Sequence, residues 1–229
     1  MIPSIPELTR QLARLHKFEQ PQAKKEQYST PPEIAAEAIH YAAELGDIIG
    51  KKVSDLGAGT GILGIGALIA RADHCTFVEQ DPSSTDILRE NVSLLPSPLQ
   101  KYTIRVGIIQ EFTEKSETIV MNPPFGTKEK HADKPFFECA LRLAPVIYAF
   151  AKTTTHRFVE KISADHGYAI THAWRFDDWR LAATQHWHRK RATFIDVTLY
   201  RIASTKSESF QPHSDLSPNR TSRKEKIYK

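Results

Sequence analysis

Cysteines and long apolar stretches are scarce in this sequence of 229 residues. The two cysteines, Cys75 and Cys139, are too few for a disulfide framework and lack the spacing of a zinc site. No apolar run approaches the length of a membrane span, and the polar first 20 residues have no apolar centre like that of a signal peptide. We therefore expect an intracellular, cytoplasmic protein with no metal site and no membrane-spanning segment.

The chain also lacks an excess of either charge over most of its length. The net charge is +4, and six basic against three acidic side chains in residues 203–229 account for +3 of it. A nucleic-acid surface on the nearly neutral body would therefore be a local patch. The last segment is rich in Ser, Lys and Pro, so we expect one domain over residues 1–202 and a basic, disordered tail over 203–229.

The apolar pattern predicts an α/β fold. Short apolar runs bounded by turn residues predict seven strands, at residues 52–56, 75–78, 102–106, 118–121, 146–151, 168–175 and 192–202. Apolar residues at helical spacing predict an amphipathic helix within residues 1–20. Thr30, Pro31 and Glu33 form a capping-box pattern that predicts the start of a second helix, which ends at Gly46.

A glycine-rich turn joins the first predicted strand to an apolar helix. Residues 55–61 read Asp-Leu-Gly-Ala-Gly-Thr-Gly, and glycines at Gly57, Gly59 and Gly61 let the backbone approach a nucleotide-type ligand closely. The negative charge of Asp55, in front of the turn, disfavours binding of a pyrophosphate. It favours a ligand with an amino group, such as S-adenosylmethionine. Glu79 ends the second strand at the distance at which an acid reaches ribose hydroxyls in such folds.

A rigid motif, Asn122-Pro123-Pro124-Phe125, follows the fourth predicted strand. Asn122 and Pro123 each precede a proline and are held extended. The amide oxygen of Asn122 and the backbone carbonyl of Pro123 are then expected to converge on one NH2 group, with Phe125 as a flat face for an aromatic base. Because open α/β sheets bind ligands at the carboxyl ends of their strands, we expect this motif and the glycine turn to share one cleft.

Two basic clusters flank later elements. Lys128 and Lys130 lie in a polar stretch over residues 128–134 that we expect to act as a lid, and Arg189, Lys190 and Arg191 follow Trp187. Cations interleaved with aromatic side chains suit a phosphate backbone with stacked bases. We interpret these clusters as candidate RNA contacts.

Several segments resemble one known family. Residues 55–61 with Asn122 to Phe125 are similar to class I adenine-N6 methyltransferases. The longer segments EQYSTPPEIAAE, MNPPFGTK and HRKRATFIDVTLYR resemble the small RNA methyltransferases of the methyltransferase-like protein five type and their archaeal relatives. The resemblance runs from about residue 7 to residue 202.

This resemblance implies a fold and an activity. The fold is a Rossmann-like class I methyltransferase, with a seven-stranded, mostly parallel sheet, helices on both faces and an antiparallel last strand. Helices within residues 1–46 would cap the cofactor site. The activity is methylation of an adenine N6 in ribosomal RNA with S-adenosylmethionine.

The resemblance also implies site residues and a partner. Asn122, Pro123, Pro124 and Phe125 would be catalytic. Relatives carry an Asp after the third strand, whereas residues 106–111 have none, so Gln110 or a backbone group is the expected substitute. Eukaryotic members use a small zinc-binding activator protein that covers an apolar sheet edge. The expected cofactor contacts are Gln27, Tyr28, Thr30, Asp55, Gly57, Gly59, Thr60, Gly61, Ile62, Glu79, Gln110 and Asn122.

Two alternatives stay open at this point. The same Asn-Pro-Pro-Phe motif could hold a DNA adenine or the side-chain amide of a protein glutamine. A non-catalytic RNA-binding scaffold is the third reading, and a titration with S-adenosylmethionine would separate it from the enzymes.

Overall fold

The protein is described by a computed structural model that covers residues 2–18, 29–96, 99, 101–126, 131–181, 193–206 and 219–220. One sheet with the strand order β3-β2-β1-β4-β5-β7-β6-β8 organises the chain. Its strands are β1 Lys52–Leu56, β2 His74–Glu79, β3 Tyr102–Val106, β4 Thr118–Met121, β5 Val146–Lys152, β6 Tyr168–Leu181, β7 Thr193–Ser204 and β8 Asn219–Arg220.

The direction of the strands confirms the predicted sheet. Strands β1 to β5 pair in parallel, whereas β7 runs antiparallel to both β5 and β6. The seven long strands match the predicted number, and β8 adds a two-residue parallel partner to β6. Because β1, β2 and β4 are parallel neighbours, their carboxyl ends meet at one edge of the sheet.

Helices cover both faces of the sheet, as expected. Helices α1 to α4 and the N-terminal residues pack into one apolar cluster, and α5 and α6 pack into a second cluster on the other face. None of the helices in the described ranges combines the length and apolarity that crossing a membrane requires. The helices are α1 Ile5–Leu12, α2 Pro32–Glu44, α3 Ile62–Ile69, α4 Pro82–Ser93, α5 Lys134–Leu143 and α6 His156–Asp165.

The structure narrows one N-terminal prediction and contradicts another. The helix predicted within residues 1–20 is α1 at Ile5–Leu12, and beyond it the backbone of His16 is hydrogen-bonded to the Asn91 side chain of α4. Helix α2 begins at Pro32 with Pro31 as its N-cap and no capping side chain. The hydroxyl of Thr30, the predicted cap, is used by another partner described below.

The late strands are longer than their sequence pattern indicated. Strand β6 runs to Leu181, and register shifts after Ile170 and Phe176 break the alternation that a regular strand would show. Strand β7 extends to Ser204, where it pairs with Tyr168, so the sheet continues past the predicted boundary at residue 202. Asn219–Arg220 of the predicted disordered tail pairs with β6. Residues 207–218 and 221–229 lie outside the described ranges.

Candidate active site

A cavity of about 530 Å³ opens at the carboxyl ends of β1, β2 and β4. It brings the glycine turn and the Asn122 motif, which are far apart in the sequence, into one cleft. The sequence-predicted residues that line it are Thr30, Asp55, Gly57, Gly59, Thr60, Ile62, Glu79, Gln110, Asn122 and Pro124.

The glycine turn needs its glycines for two separate reasons. Gly57 and Gly59 have φ values of +68° and +56°, in the left-handed region that side chains disfavour. Aromatic rings also lie directly on them. A methyl group built on Gly57 would come within 2.7 Å of Phe136 Cε1, and one on Gly59 within 3.2 Å of Phe18 Cζ. The turn is therefore held between two phenyl rings that border the cavity.

A buried carboxyl group lies under the turn. Asp55 is 2% exposed, and its Oδ2 accepts a hydrogen bond of 2.8 Å from the backbone N–H of Gly64. Burial raises the pKa of Asp55, the Gly64 N–H opposes that shift, and the charge of Glu79 adds a smaller upward contribution, so that the pKa is about 7. Such a group gains from a cationic partner, because a nearby positive charge favours the carboxylate over the acid.

Glu79 shapes the turn as well as lining the cavity. Its Oε2 accepts from the Gly59 N–H and its Oε1 from the Asp81 N–H, both at 2.8 Å. Each carboxylate oxygen can accept more than one hydrogen bond. The predicted contact with ribose hydroxyls is therefore compatible with this second, structural use of the side chain.

Asn122 ends β4 with one half of its amide engaged. Its Nδ2 donates to the Thr30 hydroxyl at 3.0 Å. Its Oδ1 is buried and has no hydrogen-bond partner among the described residues. A buried acceptor left unpaired costs about 1–3 kcal/mol, which a ligand donor would recover. The arrangement thus presents a carbonyl oxygen that is ready for an N–H group.

Phe125 lies elsewhere than the sequence suggested. The ring is 5% exposed and meets Trp179 of β6 edge to face, with 6.0 Å between the centroids. Among the described residues, the cavity lining includes Pro124 but not Pro123, Phe125 or Gly61. A base stacked on this ring would require the ring to turn away from Trp179.

The adenine end of the expected cofactor site follows β3. Gly107 and Gln110 border the cavity there, together with Ile109 of the 3-10 helix Ile109–Glu111. The thiol of Cys139 donates to the Ile109 carbonyl at 3.2 Å and so ties this short helix to α5. The side chain of Gln110 is exposed and borders the cavity, so its amide can reach a ligand bound there.

Several lining residues were missed by the sequence reasoning. Phe18 and Phe136 had no motif around them, and they reach the turn only through tertiary contacts. Asp81 carried one usable signal, because an acid before Pro82 is a typical N-cap, and its carboxylate caps α4. The remaining missed lining residues include Ser29, Gln80 and Ser84.

Some predicted contacts fall outside the described residues. They are the cofactor contacts Gln27 and Tyr28 and the RNA contacts Lys128, Lys130, Arg189, Lys190 and Arg191. Of the predicted lid, His131 and Ala132 border the cavity, whereas Lys134 already begins α5. In the described ranges no three His, Cys, Asp or Glu side chains group as metal ligands would.

The donor set fits S-adenosylmethionine. A buried Asp55 offers a place for an ammonium group, Glu79 for hydroxyls, and the glycine turn for close backbone contact. The parallel sheet, the antiparallel β7 and this cleft define a class I methyltransferase that depends on S-adenosylmethionine. Residues 38–143 match the family model of the methyltransferase small domain.

Relatives identify the family within that class. The chain is 35% identical to the rRNA N6-adenosine-methyltransferase Mettl5 of Drosophila melanogaster, covering 81% of this chain and 89% of that one. It is 33% identical to METTL5 of Danio rerio, covering 87% and 98%. The crystal structure of PH1948 from Pyrococcus horikoshii superposes with a TM-score of 0.79 at 37% identity, covering 87% and 98%. The chain belongs to the METTL5 family of rRNA N6-adenosine methyltransferases.

Proposed function

We propose that this protein transfers a methyl group from S-adenosylmethionine to the N6 amine of an adenosine in ribosomal RNA, in the cytoplasm. The unpaired, buried Oδ1 of Asn122 carries the proposal, because it lies at the end of β4 beside the cavity that the glycine turn forms. An exocyclic amine is the donor that this acceptor lacks. The METTL5 relatives, which are named for this reaction, support the choice of an RNA adenine.

The cofactor would lie against the glycine turn. When bound, S-adenosylmethionine supplies an electrophilic methyl group on a positively charged sulfur. Asp55 would hold the ammonium of its methionine part, and Glu79 the ribose hydroxyls. Gln110 would meet the adenine end, and Gln27 and Tyr28 would lie over the cofactor by analogy with the family.

The chain's own contribution to the reaction is alignment. Asn122 Oδ1 and the Pro123 carbonyl would accept hydrogen bonds from the two N–H groups of the amine and so direct the nitrogen lone pair toward the methyl group. Neither acceptor is a strong base, so the rate gain comes from holding the reacting atoms in a near-attack geometry. Thr30 supports this role by accepting from Asn122 Nδ2, which leaves the carbonyl side of the amide for the substrate.

The target adenine must leave its stack to enter the cleft. A loop or junction of RNA is therefore the natural substrate, since its bases can be splayed out at low cost. In this proposal the Phe125 ring turns away from Trp179 to stack on the extruded base. Lys128, Lys130, Arg189, Lys190 and Arg191 contact the phosphates. Each of these contacts is an inference from sequence chemistry.

Substitution of Asn122 tests the assignment directly. We expect Asn122→Ala to retain binding of S-adenosylmethionine and to lose methyl transfer by at least about 100-fold, similar to the loss of one preorganised polar contact at other active sites. Mass-spectrometric mapping of methylated adenines in rRNA provides the readout. Duplex DNA and a glutamine-containing peptide serve as competing substrates. Undiminished turnover on rRNA by the variant would contradict the proposal.

A partner surface belongs to the same proposal. Strand β3 pairs with β2 along one side and has no strand on its other side among the described residues. Beside this edge, Val106 is 52% and Ile108 43% exposed, a large fraction for apolar side chains. A free sheet edge with exposed apolar groups is a template for strand addition by a partner. We assign it to the small zinc-binding activator protein that eukaryotic family members use.

Paired substitutions separate this edge from other apolar surface. We expect Ile108→Glu to abolish co-purification with a eukaryotic activator of this kind. Ile49→Glu is the matched control, because Ile49 is 41% exposed but belongs to the loop before β1, a strand that β2 separates from β3. Equal recovery of the activator with both variants would exclude β3 as its binding edge.

A further inference from the structure

One fully buried amide joins the N-terminal segment, defined here as residues 13–18, to the glycine turn. Asn91 of α4 is 0% exposed. Its Oδ1 accepts from the His16 N–H at 2.7 Å, and its Nδ2 donates to the carbonyls of His16 at 3.0 Å and Thr60 at 2.9 Å. Both polar atoms of one side chain are thus spent on backbone groups of two separate segments.

The linkage is unusual for a helix interior. Asn is a poor helix former because its side chain competes for backbone bonds, and a buried amide persists only where its hydrogen bonds are made. Leu88 and Val92 of α4 already supply apolar packing on this side. The role of the Asn91 amide is therefore to link the backbone of His16 to that of Thr60 by hydrogen bonds, rather than to fill space in the core.

The consequence of the linkage is the position of Phe18. This residue lies two positions beyond His16, borders the cavity, and places its Cζ where a Cβ on Gly59 would come within 3.2 Å. The neighbouring Thr60 is the residue whose carbonyl Asn91 holds. The same side chain thus fixes both the ring and the stretch of turn on which the ring lies.

We propose that Asn91 is a positioning residue that acts through Phe18, by holding the ring as one wall of the S-adenosylmethionine cavity. This inference rests on the proposed binding of the cofactor at this cavity. Asn91 itself does not line the cavity and is not a catalytic residue. The wall reduces the exposure of the bound cofactor and is not needed for the alignment of the substrate amine by Asn122.

A double-mutant cycle on cofactor affinity tests the coupling. We expect Phe18→Ala and Asn91→Ala each to weaken S-adenosylmethionine binding by about tenfold, the worth of a well-packed aromatic wall. The double variant should lose little more than tenfold and well short of 100-fold, because only the bond from Asn91 to the Thr60 carbonyl remains to be lost once the Phe18 ring is gone. Calorimetric titration of the full chain gives the Kd values. Additive losses near 100-fold would overturn the proposal.

A second pair of variants covers the case in which Asn91→Ala does not fold. His16 is exposed, and His16→Pro deletes the backbone N–H that donates to Asn91, whereas His16→Ala deletes only the side chain. We expect weaker cofactor binding by His16→Pro than by His16→Ala. Equal Kd values for the two variants would overturn the proposal. Ser93→Ala, an exposed change on the same helix, provides the unperturbed reference.

The kinetic signature separates positioning from simple loss of structure. We expect Asn91→Ala to raise the KM for S-adenosylmethionine while kcat at saturating cofactor stays near the wild-type value. A fall in kcat with an unchanged KM would contradict the role. Cofactor binding is measured without RNA, so the cycle retains its meaning even if the substrate proves to be something other than an RNA adenine.

Discussion

Two buried aspartates lie at opposite ends of the central strands and differ in how far their charge is satisfied. Asp47, near the start of β4, accepts from Arg201 Nε and the Tyr148 hydroxyl at 2.7 Å each and from a second Arg201 nitrogen at 3.2 Å. Asp55, at the carboxyl end of β1, accepts one backbone N–H. Arg201 also donates a hydrogen bond of 2.8 Å to the Thr171 hydroxyl.

The difference shows at which of the two aspartates a bound ligand could stabilise the protein. Asp47 has a complete set of partners and fixes β5, β7 and the loop before β1 to one another. Asp55 is as deeply buried, yet no cation accompanies it among the described residues, and its pKa is raised to about 7. A buried polar group without full compensation is destabilising. The fold tolerates that cost at the cleft, where a ligand can remove it.

The largest effect is expected from breaking the satisfied site. Arg201→Met removes the cation and leaves the buried Asp47 carboxylate without its ion pair. We expect a loss of about 3–5 kcal/mol in the free energy of unfolding, the usual result of removing one partner of a buried pair. Urea denaturation gives the measurement. The double variant Asp47→Asn/Arg201→Met should recover most of the loss, and failure to recover would mean that packing, not charge, governs the site.

The reverse pattern is expected at the unsatisfied site. Asp55→Asn keeps the shape and the acceptor for Gly64 but removes the negative charge. We expect S-adenosylmethionine to bind about 100-fold more weakly, as when a buried charge partner is truncated. The free energy of unfolding at pH 8 should stay the same or rise, since a buried charge is removed. A large loss of stability would show that Asp55 is structural like Asp47.

The pH dependence follows from the raised pKa of Asp55. Between its ordinary value of 3.8 and about 7, the folded protein holds a proton that the unfolded chain releases, so Asp55 makes the unliganded protein less stable as pH rises through that window. An ammonium group beside the carboxylate reverses the preference. Cofactor binding should therefore be about tenfold weaker at pH 6 than at pH 8. The same titrations on Asp55→Asn should show no such dependence.

The smallest effect is expected at Thr30, which borders the site without carrying charge. Thr30→Val removes the acceptor that holds Asn122 Nδ2, and the amide is then free to rotate. We expect kcat at saturating cofactor to fall by about fivefold, the worth of one neutral hydrogen bond. Thr30→Ser keeps the hydroxyl and should retain wild-type kcat. Identical rates for Val and Ser would show that the amide needs no orientation.

Local signals made the parallel half of the sheet predictable. Strands β1, β3 and β4 have the predicted bounds because each is a short run of strand-forming residues followed directly by Gly or Asn. The site residues on those strand ends came with them, since parallel strands present their carboxyl ends together. The contacts that build the walls were not predictable. Thr30 is hydrogen-bonded to Asn122, 92 residues away, and His16 to Asn91, 75 residues away. No sequence spacing predicts either pair.

Phe125 shows the limit in another way. The motif correctly indicated an aromatic residue beside Asn122, but nothing in it specified the ring's neighbour. Trp179 comes from β6, beyond a register shift that the sequence pattern does not reveal. A sequence motif predicts which side chains are present near a site. Tertiary packing decides how each side chain is oriented and what it contacts.

The hydrogen bond between Thr30 and Asn122 also limits how early the active site can form while the chain is being synthesised. At a translation rate of roughly 5–20 residues per second, the 92 positions between them represent roughly 5–20 s of elongation. The acceptor pair for the amine is complete only after more than half of the chain has been made. Because β1 pairs with β4 and β4 with β5, a nascent chain that ends before residue 118 lacks both the strand beside the glycine turn and the amide that would receive the substrate amine, so the cleft can be completed only late in synthesis.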